Sequence, residues 1–237
     1  MRKVFVLLVV VLVAGVGLAL AANPVFTSRP ATSPPTTPIE GPGDPVNMVL
    51  DDGVAENNIG LNGSDVAYMY EWFNRFSPVE FPIEVTRIDV YWDSAWAGVS
   101  GGEAIELVVY EGGDDPCTSG GTIRGGQNDT IAALDTFDQY LLTTPAQVTS
   151  GPSVSLGVID RWIVSGVSAL CWPSALDTDV TQGRSFVAPW STDPPVPPAL
   201  PPDNICGLID GFGFPGNWLI RGTGTVVPVE LQRLVIE

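Results

Sequence analysis

Glycine and proline punctuate the chain so densely that an uninterrupted long helix has almost nowhere to form. Twenty-six glycines and 22 prolines fall among 237 residues, and they separate short apolar stretches throughout. Proline removes a backbone donor and fixes φ, and glycine supplies turn conformations, so this spacing favours many short strands joined by turns. The stretches themselves alternate. In VNMVL the apolar set is Val46, Met48 and Leu50; in TRIDVYW it is Ile88, Val90 and Trp92; in AIELVVY it is Ile105, Leu107 and Val109. A period of two places such residues on one face of a half-buried strand. Further strand-like runs are residues 68–76, 135–142, 153–159, 162–170, 185–190 and 217–226, although 64–74 also reads as a short helix. The expectation is an all-β fold: an antiparallel two-sheet β-sandwich, jelly-roll-like.

The organisation along the chain is equally legible. Residues 1–21 carry Arg2 and Lys3, an apolar run and Ala19-Leu20-Ala21, the pattern of a cleaved secretory signal peptide, with an uncleaved anchor as the alternative. Residues 22–45 are rich in Pro and Thr and lack apolar periodicity, as an extended linker would. The β-sandwich domain then spans 46–226, and 227–237 form a C-terminal tail. The proline-rich stretch 191–204 resembles a second linker, but too little chain follows it for another core. It is expected to be a surface loop of the same domain.

Composition removes most chemistries. There is no histidine, and the only lysine is Lys3, inside the signal. A mature chain of this kind builds no Ser-His-Asp triad, no Cys-His dyad, no His-ligated metal and no lysine Schiff base. A formal charge of −17 repels phosphate backbones and anionic lipid, so neither nucleic acid nor a membrane surface is an expected partner. Membrane insertion is not expected once the signal is removed. What remains is carboxylate chemistry, oxygen-ligated cations and aromatic binding surfaces.

Several stretches taken together resemble a known domain: the opening DDGVAENNIGL, then WFNRFSPVEFPIEVTRIDVYW, GEAIELVVYEGGDDP, ALDTDVTQGRSFVAPW and the closing GFGFPGNWLIRGTG. They are similar to the jelly-roll-like β-sandwich accessory domain of bacterial secreted and surface proteins, often appended to extracellular subtilisin-like proteases. The resemblance covers about residues 46–226 and implies a secreted or cell-surface, non-catalytic module.

Candidate sites follow from the residues. Asp51, Asp52 and Glu56 surround a turn at Gly53 and suit a calcium ion, a hard cation served by carboxylate and carbonyl oxygens; the alternative is that the aspartates bond their own turn. No cofactor is required otherwise. The acidic loops at 111–121 and 176–183 read as solvated turns. Trp96, in the turn DSAWAG, is the tryptophan least easily placed in a core and suits stacking on a sugar ring, whereas Trp72, Trp92 and Trp218 fit core positions. Glu106 and Asp89 are expected on solvated strand faces, and no catalytic carboxylate pair is identified. Cys117, Cys171 and Cys206 allow three pairings, with Cys171–Cys206 favoured. Arg221 either pairs with a carboxylate at a strand end or lies exposed over the sheet; the sequence leaves both open. The resulting expectation is an exported, non-enzymatic module for adhesion, recognition or structural support, with polysaccharide or another surface protein as partner. A carbohydrate-binding module and a carboxylate-dependent glycosidase are the alternatives.

Overall fold

The computed structural model describes residues 25–31, 46–63, 66–78, 81–95, 97–164, 170–190, 193–200 and 205–227. The signal segment, most of the linker, the tail beyond residue 227, and Trp96 lie outside the described residues. Among those described, the strands in chain order are β1 (Val25–Pro30), β2 (Val46–Met48), β3 (Asn57–Gly63), β4 (Val66–Ala67), β5 (Tyr70–Phe76), β6 (Ile83–Tyr91), β7 (Ala104–Gly112), β8 (Gly121–Thr130), β9 (Phe137–Val148), β10 (Ser153–Ile159), β11 (Ser174–Asp177), β12 (Ser185–Pro189), β13 (Gly207–Leu208), β14 (Asn217–Trp218) and β15 (Ile220–Val226). One helical turn, α1 (Pro116–Ser119), and one 3-10 turn, Ile209–Phe212, complete the fold.

All strand pairs are antiparallel. A six-stranded sheet runs β13-β12-β5-β10-β7-β8, and a four-stranded sheet runs β2-β15-β6-β9. Their inner faces carry the alternating residues of the sequence: Ile88, Val90 and Trp92 from one side, Ile105, Leu107 and Val109 from the other, all in one buried cluster. Trp72, Trp92 and Trp218 are in this core, as their patterns indicated. The sandwich closes where β8 approaches β9. The Gln127 side chain accepts the Thr143 N–H at 2.9 Å, and it donates to the Leu141 carbonyl at 3.2 Å. Gly125 is required there, because a Cβ would stand 2.6 Å from that of Ala146.

A third sheet, β1-β3-β11-β14 with β4 paired to β3, adds to the expected two. It is tied to the six-stranded sheet by buried polar groups: the Tyr70 hydroxyl donates to the Ile59 carbonyl, and the Asn74 amide donates to the Trp218 carbonyl and also to that of Ile220 in the four-stranded sheet. Its edge strand β1 lies within the segment expected to be linker. Phe26 explains this, since its ring packs 4.9 Å from Phe212 and 6.1 Å from Tyr70. A single aromatic anchor leaves no periodic signal. Residues 70–76 are strand, not helix. Of the strand expected at 162–170, residues 162–164 form no strand, and 165–169 lie outside the described residues.

The proline-rich stretch also does more than loop over the surface. Its residues 193–200 cross the outer face of the six-stranded sheet, where Leu200 and Trp190 bury Phe73, Val108, Tyr110, Ile159 and Phe186 in a second apolar cluster. Residue 206 lies against α1, and the expected cysteine pairing is corrected accordingly. The disulfide joins Cys117 to Cys206, with Cα atoms 5.3 Å apart, not Cys171 to Cys206. Cys171 is a buried free thiol in a separate small cluster with Ile163 and Trp162.

Candidate functional site

The opening acidic stretch folds onto the last strand. Arg221 Nε donates to both oxygens of Asp51, at 3.0 and 3.1 Å, Nη2 donates to Oδ1, and the guanidinium lies 4.2 Å from the centre of the Phe137 ring. Burial raises the Asp51 pKa above the ordinary carboxylate value, although the hydrogen bond and charge of Arg221 oppose the rise. Gly53 has a φ of 95°, and a Cβ there would come within 3.0 Å of Arg221 Nη2, so the turn is built around the arginine. Asp52 accepts the Val54 N–H at 2.8 Å, and its own N–H donates to Asp177 Oδ2 at 3.0 Å. Glu56 accepts the Thr178 N–H at 2.8 Å. Burial raises Glu56; the Thr178 bond works against it, and the negative charges of Asp177, Asp179 and Asp52 add to the rise. The three residues expected to hold calcium are therefore gathered at one place, and each is engaged by a protein donor. Among the described residues no group of three or more carboxylates or thiols is arranged to hold a metal.

Sequence reasoning placed Glu106 and Asp89 on solvated faces; both are buried and ion-paired. Asp89 contacts Arg87 at 2.9 Å, and Glu106 binds Arg161. Arg161 in turn donates to the carbonyls of Pro194 and Pro195 at 2.9 and 3.1 Å, and so grips the strap. Two registers away on the same sheet, across Ile159, stands Glu71, fully buried, with its Oε2 accepting the Tyr110 hydroxyl at 3.1 Å and its Oε1 without a hydrogen-bond partner. Burial holds its pKa well above the carboxylate range. Asp160, also fully buried, accepts the Tyr70 N–H at 2.8 Å and is raised by burial in the same way. Two carboxyl groups on one row of a sheet have the outline of a glycosidase pair. Here Glu71 is sealed under the strap, with no accessible surface of its own.

The open surface that does invite a ligand lies beside the disulfide. A cleft of about 490 Å³ is lined by the apolar Phe186, Leu208 and Phe212 together with the polar Asp114, Asp115 and Thr118. Its parts are placed by different elements. Asp115 caps α1 by accepting the Cys117 N–H at 3.0 Å, and Asp114, largely exposed, takes Arg75 Nη1 at 3.0 Å. The Cys117–Cys206 bond fixes this loop against β13, and the 3-10 turn presents the half-buried Phe212 ring, backed by Phe26. Gly183 and Gly211 border the cleft with open space where a side chain would stand. An apolar ring and a few oriented acceptors lining one cleft suit ligands with apolar faces and hydroxyl rims. The sequence signal was half present: the loop 111–121 stood out as acidic, while Phe212 had no pattern to mark it. Trp96, the residue expected to stack on a sugar, lies outside the described residues.

The fold and this exposed cleft define an all-β sandwich domain. No family model matches the chain, and no curated protein matches it. Among solved structures, the chain is similar to the cysteine protease and lectin-like domains of Cwp84, a surface layer associated protein of Clostridium difficile. The TM-score is 0.52 at 13% identity, over 80% of this chain and 37% of that one. The chain thus spans well under half the length of the protein it matches, and the likeness is one of fold. No helix among the described residues is long and apolar enough to cross a membrane.

Proposed function

We propose that this domain is a non-catalytic recognition module of the cell surface or extracellular space, and that its ligand is a carbohydrate held in the cleft beside Cys117–Cys206. The observation that carries the reading is that the Phe212 ring and the polar Asp114, Asp115 and Thr118 line one open cleft. A sugar ring offers CH-lined faces to an aromatic wall and hydroxyl donors to carboxylates, so both kinds of lining residue have a partner on the same ligand. The fold likeness to a surface-layer-associated protein with a lectin-like domain supports it, as does the export-type N-terminal sequence. The charge of −17 argues against polyanionic glycans and for neutral or amino-bearing ones. A non-catalytic role is supported by the absence of histidine and by the enclosure of Glu71.

Retention on insoluble cellulose, xylan, chitin and deacetylated chitin tests the proposal. Wild-type protein is expected to be held by at least one of them and Phe212→Ala to wash through, with an unchanged circular dichroism spectrum. Wild-type protein that washes through all four would overturn the reading.

A further inference from the structure

Resting on that reading, we infer that a second cleft on the same sheet is a further carbohydrate subsite, and that the ligand is a glycan polymer engaged at both clefts together. The second cleft, of about 390 Å³, is bounded by Glu106, Ile123, Arg124, Asn128, Val196 and Pro197 over a floor that includes Gly125 and Gly126.

Its place in the fold ties it to the first. Phe186, Phe73, Gly157, Val108 and Gly126 stand opposite one another across β12, β5, β10, β7 and β8. Phe186 lines the first cleft and Gly126 the second. Four inter-strand spacings separate them, roughly 19 Å at about 4.8 Å each. The two clefts therefore lie at opposite ends of one row of the sheet. Val196 and Pro197 of the strap wall the second cleft, and Cys206, which follows the strap, walls the first.

The chemistry of the second cleft complements a sugar in the same terms. Its charged residues are already balanced, Glu106 by Arg161 and Arg124 by Glu111, so it carries no unpaired charge to select an ion. Beside the ion-paired Arg124, what faces solvent is the Asn128 amide, the main chain of Gly126, and the apolar edge of Val196 and Pro197. A Cβ at Gly126 would press to 2.6 Å on the Leu107 carbonyl, so the floor stays main chain. An amide, peptide groups and an apolar wall match hydroxyl rims and CH faces. A ligand spanning both clefts gains effective concentration at the second once the first is filled.

The test is calorimetric titration with cello- and chito-oligosaccharides of increasing length, from dimer to octamer, using the intact chain. Affinity should rise by a factor of about ten or more when the oligomer becomes long enough to reach both clefts. Asn128→Ala and Val196→Asp, both at exposed positions, should remove that step and leave dimer binding unchanged. Affinity that grows smoothly with length, or a step that survives both substitutions, would overturn the two-cleft inference while leaving the first cleft intact. If Phe212→Ala abolishes dimer binding but no step exists, the carbohydrate reading stands and this inference falls. If no oligomer of either series binds, both fall.

Discussion

Glu71 is a carboxylic acid with nowhere to place a charge: fully enclosed, one oxygen on Tyr110, the other unpartnered, and Glu106 across the neighbouring strand. Its folded pKa is raised well above its unfolded value, chiefly by burial. The neutral acid's contribution to stability is therefore complete below the unfolded pKa of about 4.3 and is lost as pH rises toward the folded value. Asp160 acts in the same direction. The thermal midpoint should accordingly fall between about pH 4 and pH 8, and Glu71→Gln should raise it at the upper end with little effect at the lower. Melting curves for both proteins at the two pH values check this; an equal shift at each would contradict it. The Asp51–Arg221 pair predicts the opposite kind of result. Asp51→Asn strands a buried guanidinium and should cost about 3–5 kcal/mol in denaturant unfolding. For Arg221 the sequence left a carboxylate partner and an exposed position equally open, and it gave no sign of Glu71's burial, because Glu71 is flanked by apolar residues that mark only the strand.

At the scale of elements, the strap is the least expected feature. Its prolines signalled a loop, yet Leu200 and Trp190 make it the cover of an outer sheet face, and Arg161 and the disulfide hold both ends. Cys117 and Cys206 are 89 residues apart, and constraint of so long an unfolded loop is worth roughly 4–5 kcal/mol in the chain-entropy view. Replacing both with serine should reduce stability by that order and loosen the cleft that the bond borders; Cys171 should stay inert to alkylation until unfolding. Burial, with Asp160 and Glu103 adding to it, pushes the Cys171 thiol up, so little thiolate forms in the native fold. Quantitative alkylation of one thiol under native conditions would contradict this. Strands such as β7 and β10 were legible because both faces are apolar or alternate cleanly. Strand β8, with the sequence GTIRGGQNDT, was not, since an edge strand that lies under a cleft carries glycine and polar residues where a pattern would be. Strand β3 escaped for a related reason: Ile59 and Leu61 are its buried apolar residues, set among asparagines whose side chains bond to Asp93 and to Thr27 of the neighbouring strand β1.

At the scale of the molecule, alternation and turn chemistry were enough to specify an antiparallel sandwich, because a period of two admits only half-buried strands and the chain lacks material for long helices. The third sheet was out of reach, as it depends on strands of two to seven residues whose partners are far away in sequence. The candidate site was partly legible: part of its lining comes from an acidic loop visible in the sequence, the rest from Phe186, Leu208 and Phe212, which only folding brings beside it. The central claim is that this cleft takes carbohydrate, and amide chemical-shift mapping on labelled protein tests it most directly. On addition of chito- or cello-oligosaccharide, perturbations should cluster at residues 114–118, 183 and 206–212. Shifts confined to the 51–56 turn or scattered over the sheet surfaces, or no shifts at millimolar sugar, would contradict it.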